Sequence, residues 1–364
     1  MKLLTAIGLG AFIAYALLYD WFQLGDVRHS GDFWALWSYG QVLQSDGAAA
    51  LYDPVRLHAL QVGLAMAAKD FNPFPYPPGF LPLVWPLGLM PFGVAFVVWT
   101  GVTLGLFLWA ACAQWQRVPL ALILPVTTLG IISGQSGFLA GALLLGGFRT
   151  LHRPWLAGLL LGLLTYKPQL GVLVPVALLT LGVWRVIGTA CVTAVALAAS
   201  ATVLFGTGVW AAWLTALPEY ARFFADKSVR YELMPTLGAG LTMLGVPSVP
   251  LWQGVGFILL VAGVWRAHRA GPSPRALLIL TSATVLATPH AFVYDTPMVA
   301  GAALLWLASL PGLRWAEFGI LALVFTLPPL MIWSKPVPFG LSMALVPVLL
   351  LRGGAKTEGL PVNA

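Results

Sequence analysis

Six of the chain's twelve acidic residues, Asp20, Asp26, Asp32, Asp46, Asp53 and Asp70, fall in or at the edges of one polar stretch, 21–78. A carboxylate does chemistry as a base, a nucleophile or a metal ligand, according to what holds it. No cluster in the chain has metal-ligand spacing, and these aspartates do not follow the order of a calcium loop, so no metal is expected. Asp32 is the candidate for chemistry. It follows Ser30-Gly31 and heads Phe33-Trp34-Ala35-Leu36-Trp37, which sets a carboxylate at the start of a helix. The same position also suits a plain N-cap. Asp26 is the reserve, and Asp53, followed by Pro54, reads at least as well as a cap with proline at the first helical position.

The elements that must position these groups belong to a membrane protein. The chain has 364 residues, of which 59% are hydrophobic and only 9% charged, and its mean hydropathy is +0.88; no ordinary soluble domain of that length has such a composition. Leu120–Ser133, Ile187–Phe205 and Thr296–Leu310 carry no charge at all, and a bilayer core takes about 20 apolar residues per helix. Strand alternation is absent, which leaves an all-α polytopic bundle, because only helices and closed barrels satisfy their backbone groups in lipid. The net charge of +7 is spread along the chain at helix ends. That pattern suits anionic lipid or phosphate, and nucleic acid is not an expected partner. A nucleotide sugar is not expected either, since no soluble α/β domain is present to hold one. Cys112 and Cys191 sit in apolar runs, where a thiol behaves as a small hydrophobe.

In chain order, Leu3–Trp21 reads as the first membrane helix; Leu17-Leu18-Tyr19-Asp20-Trp21 is too bulky for a signal-peptide cleavage site. A long first outer loop, 22–78, follows. Phe33, Trp34 and Trp37 share a helical face there, which predicts a short amphipathic helix lying in the interface. A second such helix is expected from Asp53 or Pro54 to Lys69. Pro73, Pro75, Pro77 and Pro78, with Tyr76 and two phenylalanines among them, close the loop as an extended, aromatic-lined turn. The later apolar runs are 94–113, 118–133, 137–148, 154–166, 170–184, 187–206, 249–265, 276–289, 292–309, 315–333 and 338–351, giving about twelve crossings in a single membrane domain, 1–352. The run 79–90, cut by Pro82 and Pro86, is read as dipping into the outer leaflet without crossing. On that reading Arg117, Arg149, Arg153, Arg185, Arg266, Arg269, Arg275 and Arg314 fall on the cytoplasmic side, and only Lys167 and Lys335 sit in short outer connections, as the positive-inside rule expects. Both termini are then inside, a second long loop, 207–249, is outside, and 353–364 is a short cytoplasmic tail.

This topology gathers four polar groups at the outer mouth of the bundle: Gly134-Gln135-Ser136-Gly137, Thr165-Tyr166-Lys167-Pro168-Gln169, Pro289-His290-Ala291-Phe292-Val293-Tyr294-Asp295 and the aspartates of the first loop. Ionisable groups facing a bundle interior are functional candidates, because burying them without purpose is costly. Lys167, set between two apolar runs, is the most telling. Plainer readings stand beside each: Lys167 snorkelling to the interface, His290 bonded within the bundle, Gln135 joining two helices through its amide, Tyr76 and the tryptophans forming an interfacial belt.

Asp32-Phe33 with Leu51-Tyr52-Asp53-Pro54, then Tyr76-Pro77-Pro78, Pro86-Leu87 and Trp99, then Gly134-Gln135, then Arg153-Pro154 through Gly158 to Lys167-Pro168-Gln169, resembles glycosyltransferase family 87 in order and spacing. The resemblance runs from about residue 20 to 300. It implies a GT-C-type bundle, similar to polyprenol-phosphate-mannose-dependent mannosyltransferases, whose first outward loop supplies a catalytic aspartate, here Asp32. Donor and acceptor, a polyprenyl-phosphate hexose and a lipid or glycan, would meet at the periplasmic face of the inner membrane. A glycosyl phosphate already carries a good leaving group, so one carboxylate that deprotonates the acceptor hydroxyl is enough. Charge on the departing phosphate would be met by Lys167, with His290 and Arg230 as further candidates. Gln135, Gln169, Tyr76 and Tyr294 complete the expected substrate contacts, and no cofactor is required. The competing class is a transporter or flippase of a lipid-linked sugar; transporters place charges near the midplane, whereas here they lie at helix ends.

Overall fold

The computed structural model describes residues 32–64, 70–225, 230–333 and 338–352; the expected first helix Leu3–Trp21, Asp26, Lys335 and the 353–364 tail lie outside them. Every regular element among the described residues is an α- or 3-10 helix. The apolar runs map closely onto these elements. Phe92–Ala111, Trp184–Phe205 and Val249–His268 have 20, 22 and 20 residues, which at about 1.5 Å per residue reaches the roughly 30 Å of a bilayer core. The run 118–133 is not straight: Trp115–Leu122 and Pro125–Ser133 meet at 73°, because Pro125 pushes the residue before it out of helical geometry. Helices of membrane length therefore number three, or four if that bent pair is one span, among the described residues, against the twelve or so crossings expected. Most of the other runs form apolar stretches of helix of 10–17 residues, shortened by prolines and by 3-10 turns such as Pro168–Gly171.

The chain divides into two compact units. The first holds the described residues up to Thr103, with Ile131–Gln135 and the stretch from Ala194 to Ala225. Its centre is the helix Asp32–Ser45, of which nine of 14 residues are buried. The expected interfacial helix with one aromatic face is thus corrected to an enclosed one. Phe33 packs on Phe92 and Phe96 at 5.6 and 5.3 Å. Another side lies directly on the 3-10 turn Trp85–Leu89, where two glycines touch: a Cβ on Gly40 would stand 2.4 Å from the Gly88 nitrogen, and one on Gly88 2.2 Å from the Gly40 carbonyl carbon. Any side chain at either would meet backbone. Pro82 and Pro86 break the 79–90 run and leave its carbonyls without α-helical donors. The neighbouring helix supplies them, with Trp37 Nε1 donating to Met90 O at 3.0 Å, Gln41 Nε2 to Gly88 O at 2.8 Å and Gln44 Nε2 to Trp85 O at 3.2 Å.

The proline-rich segment is held by the same logic. Tyr39 donates to Pro73 O at 2.6 Å, Tyr52 to Tyr76 O at 3.1 Å, and Gln61 pairs with both backbone groups of Asn72 at 2.9 and 3.2 Å. Phe74 is fully enclosed between Tyr39, Tyr52 and Tyr76, with ring centroids 4.9 to 5.4 Å away. Burial pushes the Tyr39 and Tyr52 phenols well above their ordinary range, so both remain protonated donors. Asp53 caps the helix Pro54–Gly63, accepting from Val55 and Arg56 N–H at 3.1 and 3.0 Å; the helix ends at Gly63 with Leu64 as its C-cap, short of the expected Lys69, and 65–69 lie outside the described residues. The expected outer loop 207–249 is largely helical instead. Gly208–Ala225 buries Val209, Ala216 and Tyr220 along one stripe at helical spacing, and Tyr220 donates to Leu51 O at 3.4 Å.

The second unit comprises Leu104–Gly130, Ser136–Thr193 and the described residues from Arg230 onward. Pro274–Ala287 is buried at every residue but Arg275, and Gly137–Arg149 at every residue but Leu139. These short helices are apolar on all sides because they are interior. The membrane-length Val249–His268 lies outside them, with Ile258 and Leu259 each 67% exposed. Arg149, at the end of its helix, donates to the carbonyls of Trp109, Ala110 and Cys112. It thereby caps the C-terminus of Phe92–Ala111 with the charge that end of a helix favours.

Candidate active site

In the second unit three helix breaks converge. The residues Leu164–Tyr166 and Pro168–Gly171 form consecutive 3-10 turns, Val293–Asp295 forms a third ahead of Pro297–Ser309, and Ser136 precedes the helix Gly137–Arg149. Tyr166 donates to Ser136 O at 2.9 Å. Gly137 admits the turn at 294 because it has no side chain: a Cβ there would fall 1.8 Å from the Tyr294 carbonyl oxygen. Three of the polar groups picked from the sequence thus have members packed together.

Lys167 is 4% exposed and does not snorkel to a surface. Its Nζ lies 2.5 Å from Asp295 Oδ1 and 5.3 Å from the centroid of the Tyr294 ring. Asp295, 1% exposed, accepts the Phe292 N–H at 3.1 Å through its other oxygen. The Phe292 and Tyr294 rings, both half-buried, stack 5.4 Å apart at 21°. Asp295 is the residue that sequence reasoning placed in the polar group without giving it a role. A signal was available: between Glu232 and Glu317 the chain carries a single acid, Asp295, and an ammonium in apolar surroundings needs a partner.

In the first unit, Asp32 is exposed on the first turn of the enclosed helix. Gly134, with φ of 58°, seats against the next residue; a Cβ on it would stand 2.6 Å from Phe33 Cβ. The turn carrying Gln135, itself 9% exposed, therefore abuts the turn carrying Asp32. Asp32 also contributes to keeping the Tyr39 phenol protonated, after burial, Tyr76 and Tyr220. Tyr76 is enclosed in the aromatic cluster, its ring 4.4 Å from Phe80.

The remaining candidates are more peripheral. His290 is half-buried on the loop before the Val293–Asp295 turn, and burial holds its imidazole below the usual histidine range; near neutral pH it is a hydrogen-bonding group, not a cation. Gln169 is half-buried on Pro168–Gly171. Arg230 is exposed and paired with Glu232 at 3.1 Å, on the 3-10 turn Tyr231–Leu233. Among the described residues no three His, Cys, Asp or Glu side chains are grouped to hold a metal ion.

The model of one family, glycosyltransferase family 87, matches residues 74–292. The matched stretch includes Tyr76, Gln135, Lys167, Gln169, Arg230 and His290, and leaves Asp32, Tyr294 and Asp295 outside it. Neither the curated proteins nor the solved structures yield a match. Nothing in these findings supports a lipid-linked-sugar flippase. With more than half of its length matched and with apolar helices long enough to cross a bilayer, the chain belongs to glycosyltransferase family 87 and is a membrane glycosyltransferase.

Proposed function

We propose that the protein moves a hexose, mannose by its resemblance to mannosyltransferases of the GT-C fold, from a polyprenyl phosphate to a lipid or glycan acceptor at the periplasmic face of the inner membrane. The Asp32 carboxylate takes the proton of the acceptor hydroxyl as that oxygen bonds to the anomeric carbon. The bond from that carbon to the phosphate oxygen breaks, its electron pair leaves with the lipid phosphate, and the anomeric centre inverts. A glycosidase needs a second carboxylate for a poorer leaving group; a phosphate does not. Lys167 receives the phosphate, assisted by Arg230 and by hydrogen bonds from His290, Gln135 and Gln169, with Tyr294 as an aromatic contact. Side chains suffice for a single lipid phosphate, so no metal takes part.

What supports this reading above all is the mounting of Asp32, an exposed carboxylate at the head of a helix of which nine of 14 residues are buried; a base needs a fixed support and an open face. Purified protein given a radiolabelled polyprenyl-phosphate hexose and a membrane-lipid extract is expected to label an acceptor, with or without a chelator. Labelling from a nucleotide sugar but not from the lipid donor would overturn the donor assignment, and loss of activity on chelation would overturn the metal-free reading.

The outer placement has a separate check. In a protein lacking its native cysteines, Ser45→Cys is expected to react with an impermeant thiol reagent applied to intact cells from outside, and His152→Cys to react only after permeabilisation. The reverse pattern would turn the site towards the cytoplasm.

A further inference from the structure

Asp295 is committed at both oxygens, one to Lys167 Nζ at 2.5 Å and one to the Phe292 N–H at 3.1 Å. The backbone bond fixes the plane of the carboxylate, and so the direction from which Lys167 is held. The turn beneath it is pinned as well: Thr296 Oγ1 donates to Val293 O at 2.6 Å, and Gly137 closes against Tyr294 O. Lys167 and Asp295 lie almost wholly out of solvent, whereas Phe292 and Tyr294 are half-buried. The stacked rings therefore reach the surface of the unit, with the ion pair behind them.

A buried ion pair is a poor device for stability, since apolar residues of similar volume commonly do as well or better. An ammonium withdrawn from water is also disfavoured unless an anion stands beside it. Both facts make sense if the ammonium itself is needed at that place. We propose that Asp295 is a positioning residue for the transfer reaction: it keeps Lys167 charged and fixed beside the Tyr294 ring, where Lys167 binds the phosphate of the lipid donor. This rests on the donor assignment above. The phosphate approaches past the Phe292 and Tyr294 rings, and Asp295 acts through Lys167 without touching substrate.

The test compares binding of a short-chain polyprenyl phosphate with that of the corresponding polyprenol, alongside transfer rates. The wild-type protein is expected to prefer the phosphate at least tenfold. Asp295→Asn should bring that preference close to one and raise the donor KM by a similar factor, and Asp295→Glu, which restores the charge, should recover most of both. In case Asp295→Asn folds poorly, the paired Lys167→Met/Asp295→Leu variant removes both charges together; it is expected to bind phosphate and alcohol equally. A purely structural role would lower the thermal midpoint of the single variants and leave the preference intact in whatever protein remains folded. Retention of the wild-type preference by Asp295→Asn, or by the paired variant, overturns the proposal. If the wild-type protein itself shows no preference and accepts no sugar from the lipid donor, the donor assignment fails first and takes this inference with it.

Discussion

Asp32→Asn is expected to slow sugar transfer by about 10²–10⁴-fold, the range over which a positioned general base contributes. The asparagine amide keeps the shape of the side chain and its place on the first turn of Asp32–Ser45, but it cannot take a proton from the acceptor. The substitution should cost little in folding. Asp32 is exposed, and the helix is held by Phe33, Trp34 and Leu36 in its core and by the Gly40 contact with Gly88. What is lost is the attraction between a carboxylate and the helix N-terminus, about 0.3–1 kcal/mol. Initial rates and the thermal midpoint of the same preparations decide the matter: a large fall in rate with a nearly unchanged midpoint is the signature of a lost base. Asp26→Asn should leave the rate within a few-fold of wild type. If Asp26→Asn silences the enzyme and Asp32→Asn does not, the base is Asp26.

Helix positions were readable from the sequence because apolar runs and prolines act locally. Phe92–Ala111, Trp184–Phe205 and Trp315–Trp333 fall within a few residues of the runs that predicted them, and Asp53-Pro54 gave the start of Pro54–Gly63. Length alone misled where a run was apolar but interrupted. Pro125 bends 118–133, and the Pro168–Gly171 and Val293–Asp295 turns consume residues at the starts of two others. The stretch 32–90 was the hardest to read. Its organisation depends on Tyr39, Tyr52, Gln41, Gln44 and Gln61 donating to carbonyls 11 to 47 residues away, and periodicity carries no trace of such pairings. Phe33, Trp34 and Trp37 looked like an interfacial face for the same reason: nothing nearby in sequence announces that Phe92 and Phe96 cover Phe33. At the site, Lys167 stood out because it is a lone charge among apolar residues. Its partner, 128 residues later, could be reached only by asking which acid an apolar stretch can spare.

That partnership sets the second large effect. Lys167→Met is expected to destabilise the protein by about 3–5 kcal/mol, because it strands the Asp295 carboxylate in a place with almost no access to water. Asp295→Leu should cost a comparable amount by stranding the ammonium. Removing both at once is a different substitution physically. Lys167→Met/Asp295→Leu exchanges two desolvated charges for apolar contact, and such replacements are commonly neutral or stabilising, so the double variant should recover most of what either single change loses. The Phe292 N–H loses its Asp295 acceptor, which leaves a residual cost of about 1–3 kcal/mol if no other group accepts it. Unfolding in detergent, followed by graded SDS titration across the four proteins, measures the coupling. Strong non-additivity, with the double variant more stable than both singles, identifies a mutually compensated pair. Additive losses would mean that Lys167 and Asp295 are stabilised independently, and the case for a preformed ammonium at this position would fall.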